Sequence, residues 1–167
     1  PREKNAVAQS ENDTKSKEWL SMEAKKSAAQ LGTTHVAELM FSKTASSLAA
    51  SELKKLERTL SEAQKKEKID HLTLVVWADS ARPVDKQADL PKQEVQLAAD
   101  RADELKGHLA TLNPNWRVLV VNMAKHPGRI KRLLKTETAR VQESLETAPA
   151  SSQKKASRAF VIVSVRN

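Results

Sequence analysis

The sequence predicts an α/β protein: a βαβαβαβ-type sandwich with a mixed sheet packed against helices, plus an N-terminal helical extension. Three observations lead there. Leu72-Thr73-Leu74-Val75-Val76-Trp77-Ala78 is almost wholly apolar, as a central strand covered on both faces must be. Short β-rich runs alternate along the chain with amphipathic stretches long enough to serve as crossovers. Turn signals, such as Asn113-Pro114-Asn115, fall between these runs.

The elements follow in order. Residues 1–12 are polar and are expected to pack little. A helix is expected from about Asp13, with that residue as N-cap, ending at Gly32; Trp19, Leu20, Ala24, Ala28 and Leu31 form its broken apolar stripe. His35 to Phe41 is the first strand. The first crossover helix runs from about Ser51 to Lys65 on Leu53, Leu56, Leu60 and Ala63. Ile69 to Ala78 is the second strand. The next helix starts near Pro91, tolerated in a first turn, and buries Val95, Ala98, Ala102, Leu105 and Leu109. Trp116 to Met123 is the third strand. A helix after Pro127-Gly128 presents Ile130, Leu133, Leu134, Val141 and Leu145. A small polar loop then leads to the last strand, Phe160 to Val165.

Composition narrows the function classes. The chain has 167 residues, 39% hydrophobic and 30% charged, enough for one domain and an appendage. No run approaches the ~20 apolar residues of a membrane-spanning helix. A net charge of +8 and a pI near 9.8 suit anionic partners, among them nucleic acid, acidic lipid and peptidoglycan carboxylates, without choosing between them. With no cysteine, disulfides and thiolate metal sites are excluded. His35, His71, His108 and His126 show no metal-binding spacing, and three glycines cannot build a phosphate loop. No G-x-S-x-G elbow occurs. There is no tyrosine, and Phe41 and Phe160 read as core, so no stacking platform for single-stranded nucleic acid is evident. The basic cluster Lys125 to Arg132 reads as a solvated helix start that could also contact phosphate or acidic glycan. The chain begins without an initiator Met or signal-peptide core, which suits a trimmed mature protein or a fragment.

Asp79 ends the second strand, where open α/β sheets place ligands; the plainer role for it is to form a turn or cap a helix. Arg101, in the following helix, sits between Asp100 and Asp103 at the edge of the buried face. It can grip a carboxylate bidentately or make local surface ion pairs worth ~0–1 kcal/mol. An acid at a strand exit and a guanidinium on the next helix suit a ligand with both an ammonium and a carboxylate.

These residues carry a resemblance. In the OmpA-like C-terminal domain, a peptidoglycan-binding module of Gram-negative envelopes, a strand runs into Gly-His-Thr-Asp. The next helix reads Asn-x-x-Leu-Ser-x-x-Arg-Ala-x-x-Val-x-x-x-Leu. Asp79 falls on the motif aspartate, and Leu97, Arg101, Ala102, Leu105 and Leu109 fall on the helix motif without a gap. Glu38 to Leu48 is similar to the family's opening strand, phenylalanine and small polar turn. Ser157-Arg158-Ala159-Phe160-Val161-Ile162 is similar to its closing Asn-Arg-Arg-Val-Glu-Ile. The resemblance covers residues 33–167 and leaves 1–32 as a polar segment and helix. It departs where Val76-Trp77-Ala78 replaces Gly-His-Thr, where Glu94 and Ala98 replace the asparagine and serine, and where residues 82–89 lengthen the loop.

The resemblance implies a noncatalytic, cofactor-free module, periplasmic or otherwise envelope or outer-membrane associated, that ties its parent protein to the cell wall. The ligand would be diaminopimelate of the stem peptide, its ammonium on Asp79 and its carboxylate on Arg101. Ala78, Glu94 and Arg158 stand at supporting positions of the family site, and Arg82 could supply a replacement cation. Asp79 and Arg101 are expected to face one cleft, with the Arg82 to Asp89 excursion a surface loop beside it. The N-terminal helix could bind other envelope proteins. The alternative is a degenerate OmpA-like domain that serves protein interaction or assembly without wall binding; nucleic acid is a more remote partner and an enzyme more remote still.

Overall fold

A computed structural model of the chain describes residues 20–82, 88–127, 136–146 and 156–166. Eight elements alternate within them. They are α1 (Met22–Gln30), β1 (Val36–Met40), α2 (Ala50–Gln64), β2 (Lys68–Val76), α3 (Lys92–Leu112), β3 (Arg117–Asn122), α4 (Glu137–Glu146) and β4 (Arg158–Arg166). The strands form one mixed sheet in the order β1-β4-β2-β3. β4 is antiparallel to both of its neighbours, while β2 and β3 are parallel. β1 and β2 therefore run the same way with a slot between them, and β4, last of the four in sequence, fills it.

Strand composition accounts for the placing. β4 is buried at seven consecutive positions from Arg158 to Ser164, and β2 over its last six, so these are the two central strands. The shorter β1 and the half-buried β3 lie at the edges. Because side chains alternate along a strand, the sheet carries two cores. On one face, Leu72, Leu74, Val76, Val161 and Val163 pack with Leu56 and Leu60 of α2 and Ala98, Ala102, Leu105 and Leu109 of α3. On the other, Val75, Trp77, Phe160 and Ile162 pack with Ala24 and Ala28 of α1 and Val141 and Leu145 of α4.

The mixed α/β architecture expected from the sequence is present. Two helix boundaries differ from expectation. The N-terminal helix does not continue through Ser21, which is extended (φ −64°, ψ 155°) and whose hydroxyl accepts a hydrogen bond from the Ala24 amide. A side-chain N-cap of this kind starts a helix afresh, so α1 begins at Met22; Asp13 and Trp19 lie outside the described residues. The end was read correctly. Gly32 takes φ +70°, the Gly32 amide donates to Ala29 and the Thr33 amide to Ala28, closing a Schellman motif. Likewise α4 does not run unbroken from Gly128. Thr136 lies outside the helix and caps it through its carbonyl to Arg140 and its hydroxyl to Ala139; Ile130, Leu133 and Leu134 lie outside the described residues. Among the described residues no helix is long and apolar enough to cross a membrane.

Although α1 precedes the family-like stretch, it is part of the second core. Ala24 and Ala28 are wholly buried, small enough for the helix to lie close on the sheet. Glu23 reaches across to Arg158, 2.7 Å apart, with Arg158 1% exposed and stacked over Trp77 and Phe160 at 4.3 and 4.9 Å. Removing one partner of a buried ion pair leaves an uncompensated charge, at a cost of about 3–5 kcal/mol. Glu23→Ala should therefore destabilise the protein by that order in urea unfolding. The double variant Glu23→Ala, Arg158→Met should lose clearly less than the two single losses combined.

Candidate functional site

The candidate site lies at the end of the sheet where β2 and β3 finish. β2 ends at Val76 and the chain continues extended, the Trp77 amide donating to the carbonyl of Arg158 and the Ala78 carbonyl accepting from the Ser157 amide. This carries Asp79 just past the last ladder bond, where its carboxylate turns back towards the β1–α2 loop. Arg101 lies in α3 at the spacing of Ala98, Ala102 and Leu105, hence on the sheet-facing stripe. Its Nη2 is 2.7 Å from Asp79 Oδ1. The structure thus brings the two expected anchors together across the lengthened loop, in direct contact with each other. The middle of that loop, residues 83–87, lies outside the described residues. Its far end is pinned where Asp89 accepts from the His126 amide at 2.7 Å.

Arg101 differs from expectation in its burial. The sequence places it at the edge of the apolar stripe, yet its side chain has no exposed surface. Its donors explain how a guanidinium is accommodated there. Nε donates to the Ala45 carbonyl (2.7 Å), Nη1 to Trp77 (3.0 Å), and Nη2 both to Ser42 (3.2 Å) and to Asp79. Four of the five N–H groups are satisfied within the chain. The Cζ atom also stacks 4.7 Å above the Phe41 ring. Arg101 consequently ties the β1–α2 loop, the exit of β2 and α3 into one joint.

Asp79 is the partly open member, its side chain 12% exposed. Oδ1 accepts from Arg101 and from the Ser157 hydroxyl (2.7 Å), and Oδ2 from the Thr44 amide (2.7 Å). Desolvation acts to raise its pKa, but the hydrogen bonds from Ser157, Arg101 and Thr44 and the guanidinium charge together hold it below the usual value of 3.8. Thr44 (φ 65°) and Ser157 (φ 56°) are the two non-glycine residues in the left-handed region among the described residues. That conformation costs roughly 1–2 kcal/mol for an L-residue. Both bond to the same carboxylate, so the strain in two separate turns converges on Asp79.

The remaining expected site residues fall elsewhere. Arg158 does not join Asp79: it points to the opposite face of the sheet, as its strand parity with Phe160 and Ile162 requires, and pairs with Glu23. Ala78 contributes its carbonyl to Ser157 while its methyl is buried in the first core. Glu94 is half-buried in the first turn of α3, seven residues and so about 10 Å along the helix from Arg101. Arg82 is half-buried at the start of the long loop.

Sequence reasoning missed Ser157, Thr44 and the carbonyls of Ser42, Ala45 and Trp77. A usable signal existed for Ser157. It stands where the resembled motif has asparagine, a residue tolerant of the left-handed region. Backbone carbonyls leave no side-chain signature at all. The chain matches no protein-family model and none of the curated proteins at a meaningful level of similarity. The assignment of a role therefore rests on the geometry and on the motif resemblance.

Two outcomes follow. Arg101→Ala would leave three carbonyls and a carboxylate without their donor and should cost about 3–5 kcal/mol, read as a large fall in the urea midpoint. A pKa held down in the folded state stabilises above the unfolded value and is lost as pH falls through the folded one. The contribution of Asp79 should thus be complete above about pH 4 and fade progressively below it. Asp79→Asn should be less stable at neutral pH, and its acid-unfolding limb should be shallower than that of the wild type.

Proposed function

We propose that this chain is a noncatalytic OmpA-like module of the cell envelope that binds peptidoglycan stem peptides through Asp79, and so tethers its parent protein to the wall. The observation that carries this reading is the meeting of Asp79 and Arg101 at the strand-exit end of an α/β sheet. The motif resemblance matches these two residues to the family's ligand anchors, and they converge although 22 positions separate them. The backbone strain gathered on Asp79 supports the same reading, since unfavourable conformations persist where surrounding structure holds a site in shape. In this reading the ammonium of the ligand reaches Asp79 from the solvent side, and Arg101 holds the Asp79 carboxylate in place from beneath.

A second reading is favoured by one specific observation, the engagement of four of the five N–H groups of Arg101 by bonds inside the chain. A site closed in this way serves as a fastening, and the module would then act in protein interaction or assembly without touching the wall.

Co-sedimentation with purified sacculi at low salt separates the two. A charge-assisted hydrogen bond contributes about 1.5–3 kcal/mol. Asp79→Asn should therefore weaken binding by about tenfold to a hundredfold relative to wild type. Wild-type protein that stays in the supernatant, while its thermal melt shows it folded, would establish the second reading over the first.

A further inference from the structure

The hydrogen-bond inventory of the site limits what Asp79 can recognise. A carboxylate offers about four acceptor positions, two on each oxygen. Oδ1 has both filled, by Arg101 Nη2 and the Ser157 hydroxyl; Oδ2 has one filled, by the Thr44 amide. Among the described residues one position remains without a donor, on Oδ2, on a side chain 12% exposed. Arg101 meanwhile has no exposed surface, and the Ser42 and Ala45 carbonyls occupy Nη2 and Nε. Of the two anchors, the site thus offers a ligand one open acceptor on Asp79 and no exposed guanidinium from Arg101.

We propose that the site reads an ammonium group alone, through Oδ2 of Asp79, and ignores the carboxylate that distinguishes diaminopimelate from lysine. This inference rests on the reading of Asp79 as the ligand-facing group. Two consequences define the substrate class. Lysine-type and diaminopimelate-type stem peptides are bound about equally, because the two side chains differ by one carboxylate that the buried Arg101 does not reach. An arginine side chain is rejected, because its planar fork is matched to two acceptors lying side by side and Ser157 occupies the second. Ser157 is accordingly a specificity-determining residue: its hydroxyl keeps Oδ1 closed. Its left-handed backbone (φ 56°) and its 2.7 Å amide bond to the Ala78 carbonyl hold that hydroxyl in position.

The test uses three N-acetylated stem tripeptides that differ only at the third residue, which is diaminopimelate, lysine or arginine. Each is titrated calorimetrically against the full chain at about 0.15 M salt, where the Debye length of ~8 Å suppresses long-range attraction between the basic protein and the extra carboxylate. Diaminopimelate and lysine peptides should bind within about threefold of each other, and the arginine peptide at least tenfold more weakly. Ser157→Gly removes the hydroxyl and is relaxed at positive φ, so it should fold like wild type and shrink the penalty against arginine to about threefold; Ser157→Ala provides a second variant with the same expected selectivity.

A diaminopimelate peptide that binds tenfold or more tightly than the lysine peptide would overturn the inference and leave the wall-binding reading standing, since Arg101 would then be reaching the ligand carboxylate. Unchanged discrimination against arginine in both Ser157 variants would remove the role of Ser157. Absence of binding by all three peptides would overturn the inference together with the reading on which it rests.

Discussion

A guanidinium buried without any exposed surface must have its hydrogen bonds met by the protein, because an uncompensated charge in the interior costs several kcal/mol. Arg101 meets that requirement by collecting three carbonyls and a carboxylate from parts of the chain far apart in sequence: Ser42 and Ala45 after β1, Trp77 and Asp79 after β2. Everything at this end of the sheet depends on that demand. The β1–α2 loop is drawn over α3, Asp79 is turned inward, and Asp79 in turn holds Thr44 and Ser157 in left-handed conformations they would not adopt unaided. The local shape of the site is thus the solution to one desolvation problem.

The opposite face repeats the theme with different means. Arg158 is also buried, but it has one carboxylate partner, Glu23, and lies against the faces of Trp77 and Phe160. Among the described residues its Nε and Nη1 have no hydrogen-bond partner. Carbonyls satisfy one arginine; aromatic faces and a single acid accommodate the other. The difference has a structural consequence. Arg101 fastens loops to a helix that the sheet would hold anyway, whereas Arg158, together with the Ser21–Glu38 bond at the helix start, attaches a nine-residue helix whose apolar contacts come largely from two alanines.

Much of the fold was legible because its signals are local and repeated. The apolar run Leu72 to Ala78 marks a central strand, the stripe from Ala98 to Leu109 marks the helix over it, and Gly32 stops α1. Boundaries differ at Ser21 and Thr136, where a single hydroxyl cap fixes the first turn of a helix. At the site, the convergence of Asp79 and Arg101 on one place was legible, whereas their direct bond to each other and the depth of Arg101 were not. Periodicity places a residue on a face, but burial of a charge depends on acceptors that only the folded loops deliver. Arg158 was misassigned because residue order near a strand start says nothing about which face the first side chain takes until the register is fixed.

The position of β4 between β1 and β2 has implications for how the chain reaches this state. Until β4 arrives, β1 and β2 have no partner in common, and the two strands face each other across an empty slot. β1 pairs with β4 over residue separations such as Val36 to Ile162, so closing the sheet joins segments far apart in sequence. Contacts of that range slow folding, since chain entropy must be lost before the pairing offsets it. On the ribosome the β2–β3 pair and its α3 crossover can assemble early, while the central position stays vacant until the last strand has emerged. For that interval the edges of β1 and β2 that β4 will pair stand open, and unpaired edges of this kind are where partly folded chains associate.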